Sequence, residues 1–198
     1  MARPKSATHD LKREEILEVA ASCFAASSYP SASMNDLANA LGTSKARLYH
    51  YYDSKQAILF DLLDRYTLLL VELVAEVQAQ GVQSMRSPQA TVHSVVKRFL
   101  QTYESSATRH IALLHSTQFL NEAQRGLVVE RQRQVVSALG DMLSKAYPSR
   151  VHAKNKIPLT MMLFGMINWT FTWLRPGGPI SYVAFAEEVI NLLEKGLN

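Results

Sequence analysis

A glycine at position 42 fixes how this chain must turn. Before it, Leu37 and Leu41 lie four apart and share one helical face, and the small Ala38 leaves room for a second helix to come close. Ser33 is a suitable N-cap, and Asp36 three residues on is close to the capping-box pattern. Gly42 follows the last apolar residue, where a helix ends with one residue in the left-handed region. Thr43-Ser44 restart the chain, and Ser44 can cap a second helix from Lys45 to about Tyr51. Leu48 is expected to pack inward, which leaves Lys45, Arg47, Tyr49 and His50 on the outer side. Two short helices joined by so tight a turn make a helix-turn-helix, a motif whose second helix fits the major groove of DNA.

The side chains suit that partner. Lys45 and Arg47 can neutralise phosphates or reach guanine edges. Thr43, Tyr49 and His50 can donate hydrogen bonds to phosphate oxygens. Ser54-Lys55 opens the next helix, whose free N–H groups favour another phosphate. The candidate DNA contacts are therefore Ser33, Thr43, Ser44, Lys45, Arg47, Tyr49, His50 and Lys55. From the pattern alone, an ordinary helical hairpin with a solvated basic face stays open.

Thr43-Ser44-Lys45, followed by Leu48-Tyr49-His50-Tyr51-Tyr52 and Ser54-Lys55-Gln56-Ala57-Ile58-Leu59, resembles the signature of the TetR family of bacterial transcriptional regulators. The likeness runs back through Phe24 and Ile16-Leu17 and covers about residues 12–60. Two positions depart from it. Ala46-Arg47 replaces the usual small pair, so base preference cannot be borrowed from relatives. Ser28 replaces the usual glycine before Tyr29.

Apolar residues recur at helical spacing along the rest of the chain. Helices are expected over about 10–27 with Asp10 as N-cap, 54–80, and 88–104 with Pro88 at the first position. More follow over 107–119, 122–146 capped by Asn121, 157–174, and from Ser181 to Leu197. With the two helices of the motif this is an all-α fold of about nine helices. It divides into a three-helix DNA-binding domain, 1–55, and a C-terminal domain, 56–198. Residues 1–9 are polar, and Arg3, Lys5, Lys12 and Arg13 could form a basic arm along the DNA or be simply mobile.

Composition narrows the partners. Of the net charge of +4, residues 1–55 hold +1 (seven Lys and Arg against six Asp and Glu), so DNA binding must rest on local placement. The single cysteine, Cys23, excludes an intrachain disulfide and fits a reducing cytoplasm; it is expected in the core. Glu14, Glu15 and Glu18 interrupt any signal-peptide core. Residues 157–174 carry no charge and approach a membrane-spanning length, but Pro158, Gly165, Asn168 and three threonines favour a helix buried on all sides. None of the six histidines forms a metal-binding pair, and no phosphate loop or nucleophile motif occurs. Asp61 and Asp64 read as an acid pair on a polar face. No catalytic residue, metal or cofactor is expected.

The resemblance implies more about the second domain. TetR-like proteins dimerise through their last two helices, here about 153–174 and 181–196, and the apolarity of the first agrees. They also bind a small effector there. His115, Phe119, Phe164, Asn168, Trp169 and Trp173 are the candidate ligand contacts, because large apolar surfaces with a few polar groups make ligand pockets. Core or dimer contacts are the other reading of these aromatics. The run from Asn168-Trp169 to Ile180-Ser181 resembles a TetR branch that responds to acyl-CoA thioesters. Arg109, Arg125, Arg131 and Arg133 could meet CoA phosphates, or be solvated surface.

The sequence thus points to a cytoplasmic, homodimeric repressor that leaves a palindromic operator when a small molecule, of acyl-CoA type, binds. The other reading is a small-molecule-binding helical protein without specific DNA binding.

Overall fold

The computed structural model describes residues 7–197. Arg3 and Lys5 of the expected arm lie outside them. The described residues form ten helices and no strand: α1 (Ala7–Ser27), α2 (Met34–Ala40), α3 (Lys45–Tyr49), α4 (Lys55–Gln83), α5 (Pro88–Ser105), α6 (Ala107–Ser116), α7 (Glu122–Ala146), α8 (Lys156–Asn168), α9 (Thr170–Trp173) and α10 (Tyr182–Leu197). A 3-10 turn, Thr117–Phe119, follows α6. The tenth helix arises because the stretch expected as one helix over 157–174 breaks at Trp169. There Thr170 Oγ1 donates to the Ile167 carbonyl and Thr172 Oγ1 to the Trp169 carbonyl, both at 2.7 Å. Such local bonds compete with the helical ladder.

The chain forms two compact units. The first holds the residues up to Tyr66 together with Thr108–Val128; the second holds Thr67–Ala107 and the chain from Val129 on. In the first, α1 packs on α2 and α2 on α3. Leu17 and Phe24 of α1, Leu37 of α2, Leu48 of α3, and Ile58, Leu59, Leu62 and Leu63 of α4 are buried. Each buried leucine contributes on the order of 1.5–3 kcal/mol. Cys23, expected in the core, is only half-buried. Leu11 of α1 is exposed.

In the second unit α5 packs along α10 and against α8. His93 Nε2 lies 2.7 Å from Glu194 Oε1, which also accepts from the Tyr147 hydroxyl at 2.6 Å, so α10 is pinned to α5 and to the end of α7. Helix α4 does not stop near residue 80 but continues through Gly81 to Gln83. A Cβ at Gly81 would come 2.7 Å from Thr91 Oγ1, so the close approach of α4 to α5 needs glycine there. Pro88 starts α5, as expected, and Ser87 caps it. Not every residue that keeps the helical spacing is covered: Leu69, Leu114 and Leu127 are exposed. No described helix is long and apolar enough to cross a membrane.

Candidate functional site

The helix-turn-helix is built by its caps. The Ser33 backbone N–H donates to Asp36 Oδ2 at 2.8 Å, and the Asp36 N–H donates to Ser33 Oγ at 3.2 Å, a reciprocal capping box. The Ser33 hydroxyl also donates to Asp36 Oδ2 at 2.7 Å, and this bond, with the one from the Ser33 N–H, holds the exposed Asp36 carboxyl below the usual carboxylate value. Helix α2 ends in a Schellman motif. Gly42 sits at φ 61, its N–H donates to the Asn39 carbonyl at 3.0 Å, and that of Thr43 donates to the Ala38 carbonyl at 2.9 Å. Ser44 then caps α3, accepting from the Arg47 N–H at 3.2 Å. With both serine hydroxyls engaged in capping, Ser33 and Ser44 set the helix directions.

Leu48 is the one buried residue of α3 and points it inward. Lys45, Arg47, Tyr49 and His50 are exposed, and Thr43 is half-exposed at the turn. Lys45 Nζ lies 6.0 Å from the Tyr49 ring centre, so cation and phenol share one side of the helix. Among the described residues no group of three His, Cys, Asp or Glu is gathered to hold a metal ion.

Lys55 is placed otherwise than expected. Its ammonium donates to the carbonyls of Tyr29 at 2.8 Å, Ala32 at 2.6 Å and Pro30 at 3.4 Å, and lies 4.3 Å from the Tyr29 ring centre. Burial lowers its pKa. Three carbonyls occupy its three donors, so Lys55 clamps the loop from α1 to α2 instead of facing a phosphate. The same loop begins at Ser28, held at φ 67, where the resemblance has glycine.

A network of charges joins α1, α4 and α6, and the sequence did not reveal it. Asp61 Oδ2 accepts from Arg13 at 2.8 Å and from the Tyr52 hydroxyl at 2.5 Å, while Oδ1 accepts from Arg65 at 2.9 Å. Burial pushes the Asp61 carboxyl up, but the bonds from Tyr52 and Arg65 and the charges of Arg65 and Arg13 outweigh it and hold it low. Asp61 is therefore a hub, not a member of a polar-face acid pair. Arg109 of α6 pairs with Glu14, and with Glu18 at 2.7 Å. It is thus not a cation waiting for CoA phosphates, and Arg13 of the expected arm is equally committed. Phe119 stacks on Tyr29 with ring centres 5.1 Å apart, and its carbonyl accepts from Gln56 at 3.2 Å.

The six candidate ligand residues are not brought together in one unit. His115, exposed, and Phe119 lie in the first; Phe164, Asn168, Trp169 and Trp173 lie in the second. Phe164 is buried against Phe99, ring centres 5.6 Å apart. Asn168 Oδ1 accepts from the Tyr103 hydroxyl at 2.8 Å, a partner the sequence gave no sign of. Trp169 is 64% exposed and Trp173 45%, set against Phe171 and Phe185.

Fold and reading helix together define a DNA-binding regulator. Residues 16–62 match the family described as bacterial regulatory proteins, tetR family, and residues 85–197 match the tetracyclin repressor-like C-terminal domain. A TetR-family regulator from Bordetella parapertussis 12822 is 36% identical over 91% of this chain and 93% of that one, with a TM-score of 0.85. The transcriptional repressor KstR2 of Rhodococcus jostii is 24% identical over 94% of this chain and 91% of its own. AibR, solved with isovaleryl coenzyme A and operator DNA, shares the fold at a TM-score of 0.78 and 22% identity, over 91% of this chain and 97% of that one. The chain belongs to the TetR family. It is a bacterial regulatory protein of that family, with a helix-turn-helix of the kind that binds DNA. The reading of the hairpin as merely structural gives way.

Proposed function

We propose that two copies of the chain repress transcription from a palindromic operator and are released by an acyl-CoA thioester. The observation that carries the DNA half is the capped pair α2 and α3: exposed Lys45, Arg47, Tyr49 and His50, with half-exposed Thr43 at the turn, form the reading surface. Arg47 reads a base edge, and the others hold phosphates. Ser33, Ser44 and Lys55 position the motif. Residues 1–55 carry DNA binding, and 56–198 carry effector binding and dimerisation. The regulator acts by binding, without catalysis, in the cytoplasm where its DNA lies.

The repressor reading takes support from KstR2, and the acyl-CoA reading from AibR and from the run Asn168 to Ser181. Dimerisation uses the apolar faces of α8 and α10. In the protomer Met161, Met162, Trp169, Val183 and Leu192 are exposed there, while Thr160, Leu163 and Ile167 face the core. The helix that was expected to be apolar all round and buried on all sides thus keeps one side for a second copy. Helices α4 and α7 each contribute residues to both compact units, so an effector held in one can act on the other through continuous helix. It shifts the balance only by its differential affinity for the two states.

Release of a labelled operator duplex by acyl-CoAs, free acids and CoA tests the reading. Acyl-CoAs at 100 times their Kd should also stabilise the fold by about 2.7 kcal/mol. Release by free acids alone would discard the thioester assignment.

A further inference from the structure

The second unit contains a cavity that none of the six candidate ligand residues lines. It lies among the end of α4, the start of α5 and the last turns of α7, with a volume of about 520 Å³. That is the size of a small-molecule site. Ala79, Val82 and Met142 form an apolar side, Thr91 adds a hydroxyl, and the charged lining is Arg86 and Lys145, with no carboxylate among the lining residues. Part of the wall is backbone, because Gly81 sits where a Cβ would strike Thr91. Arg86 donates to Ser94 Oγ at 3.3 Å, which occupies one of the five guanidinium donors.

An apolar wall beside two cations is complementary to a chain that ends in an anion. We propose that this cavity binds an anionic acyl compound, its chain against Ala79, Val82 and Met142 and its anionic group held by Arg86 and Lys145. A fatty-acid carboxylate and the phosphates of an acyl-CoA both supply that chemistry. Occupancy of the site does not depend on the release of DNA.

Calorimetric titration of the full chain with octanoate, octanoyl-CoA, CoA alone and neutral octyl glucoside tests the site. Octanoate or octanoyl-CoA should bind, with one molecule per chain, and the neutral amphiphile roughly tenfold or more weaker. Arg86→Glu with Lys145→Glu should weaken the anion by a similar factor, and Ala79→Trp should fill the cavity and abolish binding. All three positions are exposed, and thermal melting checks that the variants fold. Heat from octanoyl-CoA alone assigns the anion to the CoA phosphates; heat from octanoate assigns it to the carboxylate. Absence of binding by either, or binding that the charge reversals and the tryptophan leave unchanged, overturns the proposal. Operator release measured beside it separates the two readings: octanoyl-CoA that binds here without releasing DNA counts against the effector assignment and leaves the site standing.

Discussion

Ser28 and Lys55 act on one loop from opposite directions. Ser28 holds a backbone conformation that costs a non-glycine residue about 1–2 kcal/mol, and Lys55 ties the carbonyls that follow it. Ser28→Gly should therefore stabilise the protein by about 1 kcal/mol, measured by urea unfolding. Lys55→Met should cost about 1–3 kcal/mol, because it leaves carbonyls without their charged donor. It should also leave the slope of DNA affinity against salt unchanged, whereas loss of a phosphate contact would reduce that slope by about one. On α3, Arg47→Ala should weaken operator binding by about 1–3 kcal/mol and relax specificity, while Lys45→Ala should weaken all duplexes alike. His110 is a residue of another kind. It is buried with Nδ1 3.2 Å from the Tyr66 hydroxyl, and burial lowers its pKa from 6.5 to about 4. The unfolded chain then takes up this proton first. Stability is full above pH 6.5 and falls, by on the order of 3 kcal/mol, as pH drops to about 4. His110→Gln should remove that part of the acid slope in denaturation followed across this range.

At the scale of elements, a helix as short as α3 does not hold itself together in water. It exists because Ser44 caps it and Leu48 anchors it. Those devices were legible in the sequence, since caps and glycine turns act over three or four residues. Ser33 with Asp36, Gly42 and Pro88 all do what their spacing implies. The charges were not legible. Arg13, Asp61, Arg65 and Arg109 meet across helices far apart in the chain, and nothing local to Asp61 marks it as a hub. The same blindness put Lys55 on a phosphate, because helical spacing says which face a residue is on but not what that face meets. Asp61→Asn should cost about 1.5–3 kcal/mol by weakening charge-assisted bonds from Arg13 and Arg65, read by thermal or chemical unfolding. Its low folded pKa means that the carboxylate's contribution is present above the ordinary value of 3.8 and lost as pH falls below it.

For the whole molecule, one short reading helix touches few base pairs, and a two-fold dimer supplies two half-sites. Introducing charge into the exposed apolar face of α8 and α10, as in Met161→Glu with Leu192→Glu, should give monomers by sedimentation. Loss of operator binding should accompany it, with the fold retained. The central claim is effector-controlled, sequence-specific DNA binding. Its most direct test is fluorescence anisotropy of a duplex selected from random sequences by the protein, titrated over a range of salt with and without an acyl-CoA. The selected site should be palindromic, its affinity should fall steeply as salt rises, and the thioester should release it. A protein that enriches no sequence, and binds selected and random duplexes alike at every salt concentration, would contradict it.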